Sequence, residues 1–114
     1  MNNTRSISPE KSIDVFIACL DKLNIFIDFS GTYEKYYTCS GMINIRLSKS
    51  KNKVLELIFG FNYYIEYIYT QYYDNQTKTK TTEKGMFYLK NNTSHESQIC
   101  IDTHVISLIK GVVE

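Results

Sequence analysis

Apolar and polar residues alternate along much of the chain, and this alternation predicts the strands of a half-buried sheet. Residues 43–48 read Ile-Asn-Ile-Arg-Leu-Ser, and residues 55–61 read Leu-Glu-Leu-Ile-Phe-Gly-Phe. Because successive side chains of a strand point to opposite faces, both segments predict one apolar face. The polar segment 48–53 between them predicts a turn, so the two strands are expected to form a β-hairpin.

Several other segments extend the predicted sheet. Residues 23–29 alternate in the same way, and residues 30–32 (Ser-Gly-Thr) predict the turn that follows them. Residues 63–73 (YYIEYIYTQYY) predict a strand in which tyrosine serves both faces, because its ring can be buried while its hydroxyl reaches water. The polar segment 74–85 predicts a long exposed loop. Two further strands are predicted, at residues 86–89 and 98–109.

The N-terminal part is ambiguous between helix and strand. Residues 1–11 form a polar lead-in that contains Ser8 and Pro9, a pair typical of a helix start. Beyond it, residues 13–19 carry apolar side chains at alternate positions, whereas positions 16, 20 and 23 keep helical spacing. We favour the strand interpretation for this segment.

The composition agrees with an all-β domain. The 114 residues include ten tyrosines, six phenylalanines and a single proline, and 43% of the chain is hydrophobic. Aromatic and β-branched residues favour a pleated, half-buried surface. We therefore expect one all-β domain at residues 12–114, built of antiparallel sheets packed together as in a sandwich.

Charge and hydropathy exclude some partners. The formal net charge of +1 provides no long-range field toward nucleic acid or an anionic membrane. No segment reaches the roughly 18 apolar residues that a membrane span requires. The N-terminus lacks the apolar core of a signal peptide, so the residues taken literally indicate a soluble, cytoplasmic protein.

Three cysteines lie at the edges of segments with β patterning: Cys19, Cys39 and Cys100. In an extracytoplasmic protein this placement suggests disulfide staples, and an odd number leaves one thiol without an internal partner. In a cytoplasmic protein three buried thiols acting as small hydrophobic residues are the common arrangement. Both interpretations stay open on the residues alone.

Candidate chemistry is sparse. Cys100 and His104 suggest half of a metal site, but on a strand they lie about 13 Å apart and cannot hold one ion. His95 and His104 could act as bases beside serine or aspartate, with candidates at Ser94, Ser97 and Asp102. No nucleophile elbow or phosphate-binding glycine loop accompanies them. We expect no enzyme activity, no metal, no cofactor and no small-molecule substrate.

Lysines beside tyrosines could in principle form a nucleic-acid surface. Lys49, Lys51 and Lys53 precede the tyrosine-rich segment. Lysines in a hairpin turn also discourage edge-to-edge pairing of sheets, and the 13 basic and 12 acidic residues nearly cancel. We expect no nucleic-acid binding.

N-glycosylation sequons point to a secretory protein. Each of four asparagines is followed two places on by Ser or Thr without an intervening proline: Asn2, Asn75, Asn91 and Asn92. Three of the four fall in predicted loops, where a glycan can be accommodated. Asn91 and Asn92 overlap, so we expect Asn2, Asn75 and Asn91 to be the candidate glycosylation sites.

Three segments resemble the luminal domains of the lysosome-associated membrane glycoprotein family. CLDKLNIFIDFSGTYEK resembles the family's first-cysteine segment, YTCSGMINIRLSKSKNKVLELIFGFN its second, and NNTSHESQICIDTHVISL its third. The segments follow in the family's order and cover most of residues 17–108. The resemblance implies a β-prism luminal domain that lacks its C-terminal part, with Cys19 bonded to Cys39, and Cys100 matching the third cysteine.

The same resemblance implies a function. Family members are non-catalytic glycoproteins of the lysosomal and late endosomal membrane, with roles in membrane protection, vesicle sorting and fusion. The partner of Cys100, a signal peptide and a membrane anchor are missing here, which implies a fragment or a divergent relative. The partners implied are proteins or glycans at the luminal face. The alternative is a small intracellular protein-binding module that uses the strand Tyr63–Tyr73 as its contact surface.

Overall fold

The described part of the chain forms a five-stranded antiparallel sheet and two helices. A computed structural model describes residues 7–26, 33–37, 41–50, 52–74, 79–89 and 101–113. In chain order the elements are α1 (Pro9–Lys22), β1 (Tyr33–Tyr37), β2 (Ile43–Ser50), β3 (Lys53–Phe59), β4 (Tyr64–Asp74), β5 (Thr79–Tyr88) and α2 (Thr103–Val113). The strands lie side by side in this order, so each pairs with its neighbour in sequence.

The core lies between one face of the sheet and both helices. The pairs Ile45↔Leu57 and Phe59↔Ile65 show that odd-numbered residues of β2, β3 and β4 share this face. A single cluster of buried residues joins the two layers: Ile13, Phe16, Cys19, Leu20, Ile25, Ile43, Ile45, Leu47, Leu55, Leu57, Phe59, Ile65, Leu89, Ile101, Val105, Ile109 and Val112. The predicted antiparallel β architecture is confirmed, and in the described part the layer opposite the sheet consists of helices.

The strand interpretation of the N-terminal segment was wrong, because α1 is a helix. Ser8 caps it by accepting a hydrogen bond from the Lys11 N–H at 3.2 Å, and Pro9 occupies the first turn. The helix buries positions at helical spacing, and Phe16 meets Phe59 edge-to-face with ring centroids 5.2 Å apart. The cap and this contact outweigh the β propensity of the isoleucines and valine.

The segment at residues 23–29 also departs from the expected strand. Leu23 and Asn24 form a turn after α1, and Ile25 and Phe26 are not in a strand. Asn24 has φ of +59°, a left-handed conformation that ends helices and that asparagine tolerates. Residues 27–32 lie outside the described part. The structure adds β1, which the alternation of apolar residues did not reveal.

The predicted final strand at residues 98–109 is contradicted at residues 103–109, which belong to α2, whereas residues 98–100 lie outside the described part. Asp102 Oδ1 accepts a hydrogen bond from the His104 N–H at 2.8 Å and so caps the helix. Val105, Ile109 and Val112 are buried at helical spacing. No helix in the described part of the chain is long and apolar enough to cross a bilayer.

The predicted loop at residues 74–85 contains most of β5. This strand pairs with β4 from Tyr64↔Tyr88 to Asp74↔Thr79, and residues 75–78 lie outside the described part. Its side chains are exposed at first and then alternate between exposed and half-buried, as expected for an edge strand. The low hydrophobicity of residues 79–85 gave no indication of a strand. The stability of β5 comes from backbone pairing with β4 and from the preference of threonine for extended backbone.

The β3–β4 turn binds Ile7, which lies just before α1, to the sheet. Asn62 and Tyr63 both have positive φ, +59° and +66°, and the Tyr64 N–H donates to the Phe61 carbonyl at 3.2 Å. The Ile7 N–H donates to Asn62 Oδ1, and the Asn62 N–H donates to the Ile7 carbonyl, both at 2.9 Å. One asparagine therefore supplies the left-handed turn and a two-bond anchor for the residues that enter α1.

The anchor predicts a difference between two substitutions at Asn62. Asn62→Asp keeps an acceptor oxygen and tolerance of positive φ, whereas Asn62→Gly keeps only the backbone freedom. We expect the glycine variant to lose about 1 kcal/mol of unfolding free energy and the aspartate variant to stay close to wild type. Urea unfolding measures both. Equal stabilities, or unchanged hydrogen exchange at the Ile7 amide in the glycine variant, would contradict the anchor.

Candidate functional site

The even-numbered residues of β2, β3, β4 and β5 project from the face of the sheet opposite the core. We call this face the outer face. Its side chains are Asn44, Arg46, Val54, Glu56, Ile58, Tyr64, Glu66, Ile68, Thr70, Thr82, Lys84, Met86 and Tyr88. None of them belongs to the buried cluster under the helices. Charged and apolar residues are mixed on this face, as is usual where a sheet meets solvent.

Large apolar side chains concentrate at one end of the outer face. Met86 is 49% exposed and Tyr88 is 58% exposed, and the ring of Tyr64 lies 5.4 Å from that of Tyr88. Met42 approaches the same end, since its terminal methyl would lie 2.9 Å from a Cβ added at Gly60. We call Met42, Tyr64, Met86 and Tyr88 the outer-face patch.

A hydrogen bond orients the inner tyrosine of this patch. Tyr64 Oη donates to Glu66 Oε1 at 2.6 Å. This bond to a carboxylate, followed by partial desolvation, raises the pKa of Tyr64 above its ordinary value. The hydroxyl therefore stays protonated at neutral pH, with its proton directed at Glu66 and the ring face free to stack.

The patch is unusual within the described part of the chain. Five large hydrophobic residues there are exposed, and three of them lie at this end of the sheet: Phe61, Met86 and Tyr88. Phe61 belongs to the β3–β4 turn and lies beside Gly41, whose added Cβ would be 3.7 Å from the ring. Scattered exposed hydrophobic residues need no explanation, but several at one end of a sheet mark a candidate binding surface.

The tyrosines of Tyr63–Tyr73 do not form one contact surface. Tyr63, Tyr67 and Tyr69 pack partly against the core, whereas Tyr64 projects from the outer face. The sequence correctly predicted a short strand at residues 86–89, which holds Met86 and Tyr88, but their place on the outer face was missed because residues 79–85 were expected to be a loop. The alternation of Met86 with Phe87 and Tyr88 in a strand extended to Thr79 would have placed both on one face.

A second polar cluster joins α2 to the sheet. The Glu83 carboxylate accepts hydrogen bonds from the His104 imidazole at Nε2 and from Tyr67 Oη, the latter at 2.9 Å. The rings of Tyr67 and His104 meet edge-on with centroids 6.3 Å apart. We call Tyr67, Glu83 and His104 the helix-docking cluster.

A glycine makes room for this cluster. Tyr67 and Gly85 are opposite each other on β4 and β5. A Cβ added at Gly85 would lie 2.5 Å from Tyr67 Cε1 and 2.7 Å from its Cζ and Oη. The tyrosine ring therefore lies directly over the glycine, which lets its hydroxyl reach Glu83.

The helix-docking cluster is suited to holding α2 on the sheet. Two donors converge on Glu83 and lower its pKa, the His104 hydrogen bond having the larger effect and Tyr67 the smaller. Burial and then the Glu83 hydrogen bond raise the pKa of Tyr67, so this tyrosine remains a donor. In the described part of the chain, His104 contacts Glu83, Tyr67 and Asp102, and these contacts position α2 on the sheet. Among the described residues, no three His, Cys, Asp or Glu side chains could hold a metal ion together.

The residues singled out from the sequence are mostly elsewhere or outside the described part. Cys19 is buried in α1 on the face toward the core. The remaining cysteines and sequons lie outside the described residues: Cys39, Cys100, Asn2, Asn75, Asn91 and Asn92. The Cys19–Cys39 disulfide and the glycosylation sites therefore stay predictions. The same holds for His95, Ser94 and Ser97, which also lie outside that part.

Comparisons of the chain with protein-family models, curated proteins and solved structures find no match. The luminal-glycoprotein interpretation and its lysosomal location therefore remain predictions. In addition, two of the segments on which it is based include the last residues of α1 and the first part of α2. The outer-face patch and the helix-docking cluster are therefore the structural features from which a function can be inferred.

The different surroundings of Gly85 and Gly111 predict opposite effects on stability when each glycine is replaced by alanine. Gly85→Ala would push the Tyr67 ring away and weaken its bond to Glu83, so we expect a loss of about 1–3 kcal/mol of unfolding free energy. Gly111 lies on an exposed face of α2 with open space around it. Gly111→Ala should add about 0.5–1 kcal/mol. Chemical denaturation tests both, and a neutral Gly85→Ala would contradict the packing.

The lowered pKa of Glu83 predicts a dependence of stability on pH. An acid whose folded pKa is lowered stabilises the fold above its ordinary value of 4.5, and this contribution is lost as the pH falls through the folded pKa. Wild type should exceed Glu83→Gln by about 0.5–1 kcal/mol at pH 6, because both partners are largely exposed. The difference should shrink toward pH 3 in urea unfolding. A difference that stays constant over this range would contradict the role of the carboxylate.

Proposed function

We propose that the chain is a non-catalytic protein-binding module whose outer-face patch contacts a partner polypeptide. The observation that carries this proposal is the grouping of Met86 and Tyr88, both about half exposed, around Tyr64, whose ring lies tilted against that of Tyr88 and whose hydroxyl is bonded to Glu66. Aromatic residues and methionine are enriched at protein interfaces, and tyrosines at their centres often dominate binding energy.

The surroundings of the patch suit a binding surface. Polar and charged side chains, including Arg46, Glu56 and Lys84, continue the outer face beyond it. An apolar centre with a polar rim is the usual anatomy of an interface. The rigid sheet beneath, anchored by the helices on its other face, keeps the rings in place and limits the entropy lost on binding.

The proposal predicts that peptide ligands will depend on the patch. A random peptide library displayed on phage, selected against the whole chain, should yield peptides that bind wild type. Tyr88→Ala should weaken them by about tenfold or more, because truncation of a tyrosine at the centre of an interface costs about 2 kcal/mol or more when that tyrosine dominates binding. Tyr73→Ala provides a matched control, because Tyr73 is 62% exposed but lies at the far end of β4.

Binding is measured by titration calorimetry with the selected peptides. The proposal requires a loss with Tyr88→Ala and near-normal affinity with Tyr73→Ala, in variants whose circular dichroism and Tm match wild type. If no peptide is enriched, or if the two variants weaken binding equally, the outer-face patch is not the binding surface.

A further inference from the structure

The last strand of the sheet has an open edge beside the outer-face patch. β5 pairs with β4 on one side, and within the described part of the chain no strand pairs with its other side, which we call the β5 edge. An open edge presents backbone N–H and C=O groups with which a further strand can pair. The patch reaches the β5 edge through Met86 and Tyr88.

The hydrogen-bonding pattern shows which residues of β5 face this edge. The Leu89 N–H donates to the Tyr63 carbonyl at 2.9 Å, in register with the strand pair, so the odd-numbered residues direct their backbone groups at β4. These directions alternate along a strand, so the even-numbered residues direct their backbone N–H and C=O groups at the β5 edge. All of these residues are exposed: Lys80, Thr82, Lys84, Met86 and Tyr88.

The residues that face the β5 edge are also the residues that project from the outer face. Both properties belong to the even-numbered positions of β5. A strand that pairs with this edge would therefore place alternate side chains on the outer face, directly beside Met86 and Tyr88. Pairing with the β5 edge and contact with the outer-face patch thus occur together.

Two lysines give the β5 edge a preference for acidic residues. Lys80 and Lys84 lie four residues apart, and both side chains are exposed. Their partners on β4 are Tyr72 and Ile68, so neither lysine lies opposite a carboxylate. Opposite charges at paired positions of neighbouring strands attract each other, so acidic residues are favoured opposite these lysines on an added strand.

Three carboxylates of the outer face lie further from the β5 edge than these lysines. Glu66 lies on β4, Glu56 on β3 and Glu34 on β1. Two, three and five strand spacings separate them from an added strand, or about 10, 14 and 24 Å. Glu83 lies on β5 but belongs to the opposite face, where it accepts a hydrogen bond from His104. The two lysines are therefore the nearest charges on the outer face to an added strand.

We propose that the β5 edge binds an extended segment of the partner polypeptide, which pairs with it as an antiparallel strand. The segment carries apolar residues opposite Tyr88 and Met86 and acidic residues opposite Lys84 and Lys80. In the partner these are the first, third, fifth and ninth positions of a nine-residue segment. This inference rests on the proposed function and specifies the conformation and the chemistry of the partner.

A second copy of this chain fits the β5 edge less well than a segment of that kind. If two β5 strands paired around a two-fold axis, the two registers of greatest overlap would be centred on Glu83 or on Lys84. The first register places two glutamates opposite each other, and the second places two lysines opposite each other. Like charges at directly opposite positions destabilise a strand pair.

The first test compares two libraries of nine-residue peptides displayed on phage and selected against the whole chain. Both fix apolar residues at positions one and three. One library fixes glutamate at positions five and nine, and the other fixes lysine there. We expect the glutamate library to give the tighter binders in titration calorimetry. Equal affinities from the two libraries would overturn the inference.

Charge reversal in the protein tests the contact with Lys84. Lys84→Glu should weaken the best glutamate peptide by about three- to tenfold, and lysine at position five of that peptide should restore binding to the variant. Lys11→Glu, at an exposed position of α1, changes the net charge equally and should bind as wild type does. Equal losses with the two variants would count against the inference.

Methylation of the peptide backbone tests strand pairing with the unmodified protein. The peptide residues opposite Met86 and Lys84 direct their N–H groups at β5, whereas the residue between them directs its N–H away. A methyl group on the amide nitrogen at position three or five should weaken binding by about tenfold or more. The same group at position four should have little effect, and equal effects at all three positions would contradict the pairing.

Hydrogen exchange reports on the β5 edge itself. In the free protein the amides of Lys84 and Met86 should exchange quickly and those of Glu83 and Gly85 slowly, because only the latter bond to β4. The glutamate peptide should slow exchange at Lys84 and Met86. Slow exchange there in the free protein would show that another segment or a second copy already covers the edge, and would overturn the inference.

The remaining outcomes distinguish the inference from the proposed function. Peptides that depend on Tyr88 but tolerate methylation at positions three and five would overturn the inference and leave the proposed function standing. The same conclusion follows if only the random library yields binders. If no peptide from any library depends on Tyr88, both fail.

Discussion

Burial of the apolar face of the β2–β3 hairpin is the constraint on which the rest of the structure depends. Leu47, Leu55, Leu57 and Phe59 are almost completely buried, and a hairpin by itself cannot remove them from water. The helices supply the missing cover: α1 contacts β3, and α2 contacts both β2 and β3. The order of the strands, the docking of the helices and the position of the outer face all follow from the need to cover these side chains.

The same alternation that fills the core also creates the outer face. A strand cannot turn every side chain inward, so each buried leucine is matched by a neighbour that faces away from the helices. On β2 that neighbour is Asn44, and on β3 it is Ile58. Asn44 is buried there, and within the described part of the chain its Oδ1 has no hydrogen-bond partner, so this residue costs stability.

The sequence predicted the elements in which the alternation of apolar residues matches the burial of side chains in the structure. It missed the elements in which that alternation and the burial differ. The hairpin and the tyrosine-rich strand were predicted correctly, because alternation there matches a half-buried sheet. Both helices were assigned to strands, because isoleucine and valine have a high strand propensity. In the structure, packing against the sheet instead buries residues at helical spacing, such as Val105 and Ile109. The strand at residues 86–89 was predicted, but residues 79–85 of β5 were expected to be a loop, because pairing with β4 requires no hydrophobic side chains there. The contact between Glu83 and His104 joins residues distant in sequence, so no local pattern could reveal it.

The sequential order of the strands has a consequence for how the chain folds. Every strand pairs with its neighbour in sequence, so the sheet can grow by successive closure of short hairpins, a topology of low contact order that favours rapid folding. The helices are the exceptions: α1 packs on β3, which follows it by about thirty residues, and α2 packs on strands that precede it by more than forty residues. During synthesis on the ribosome, part of the apolar face therefore stays uncovered until residues 103–113 emerge. That interval is when the protein is most exposed to aggregation and to chaperones.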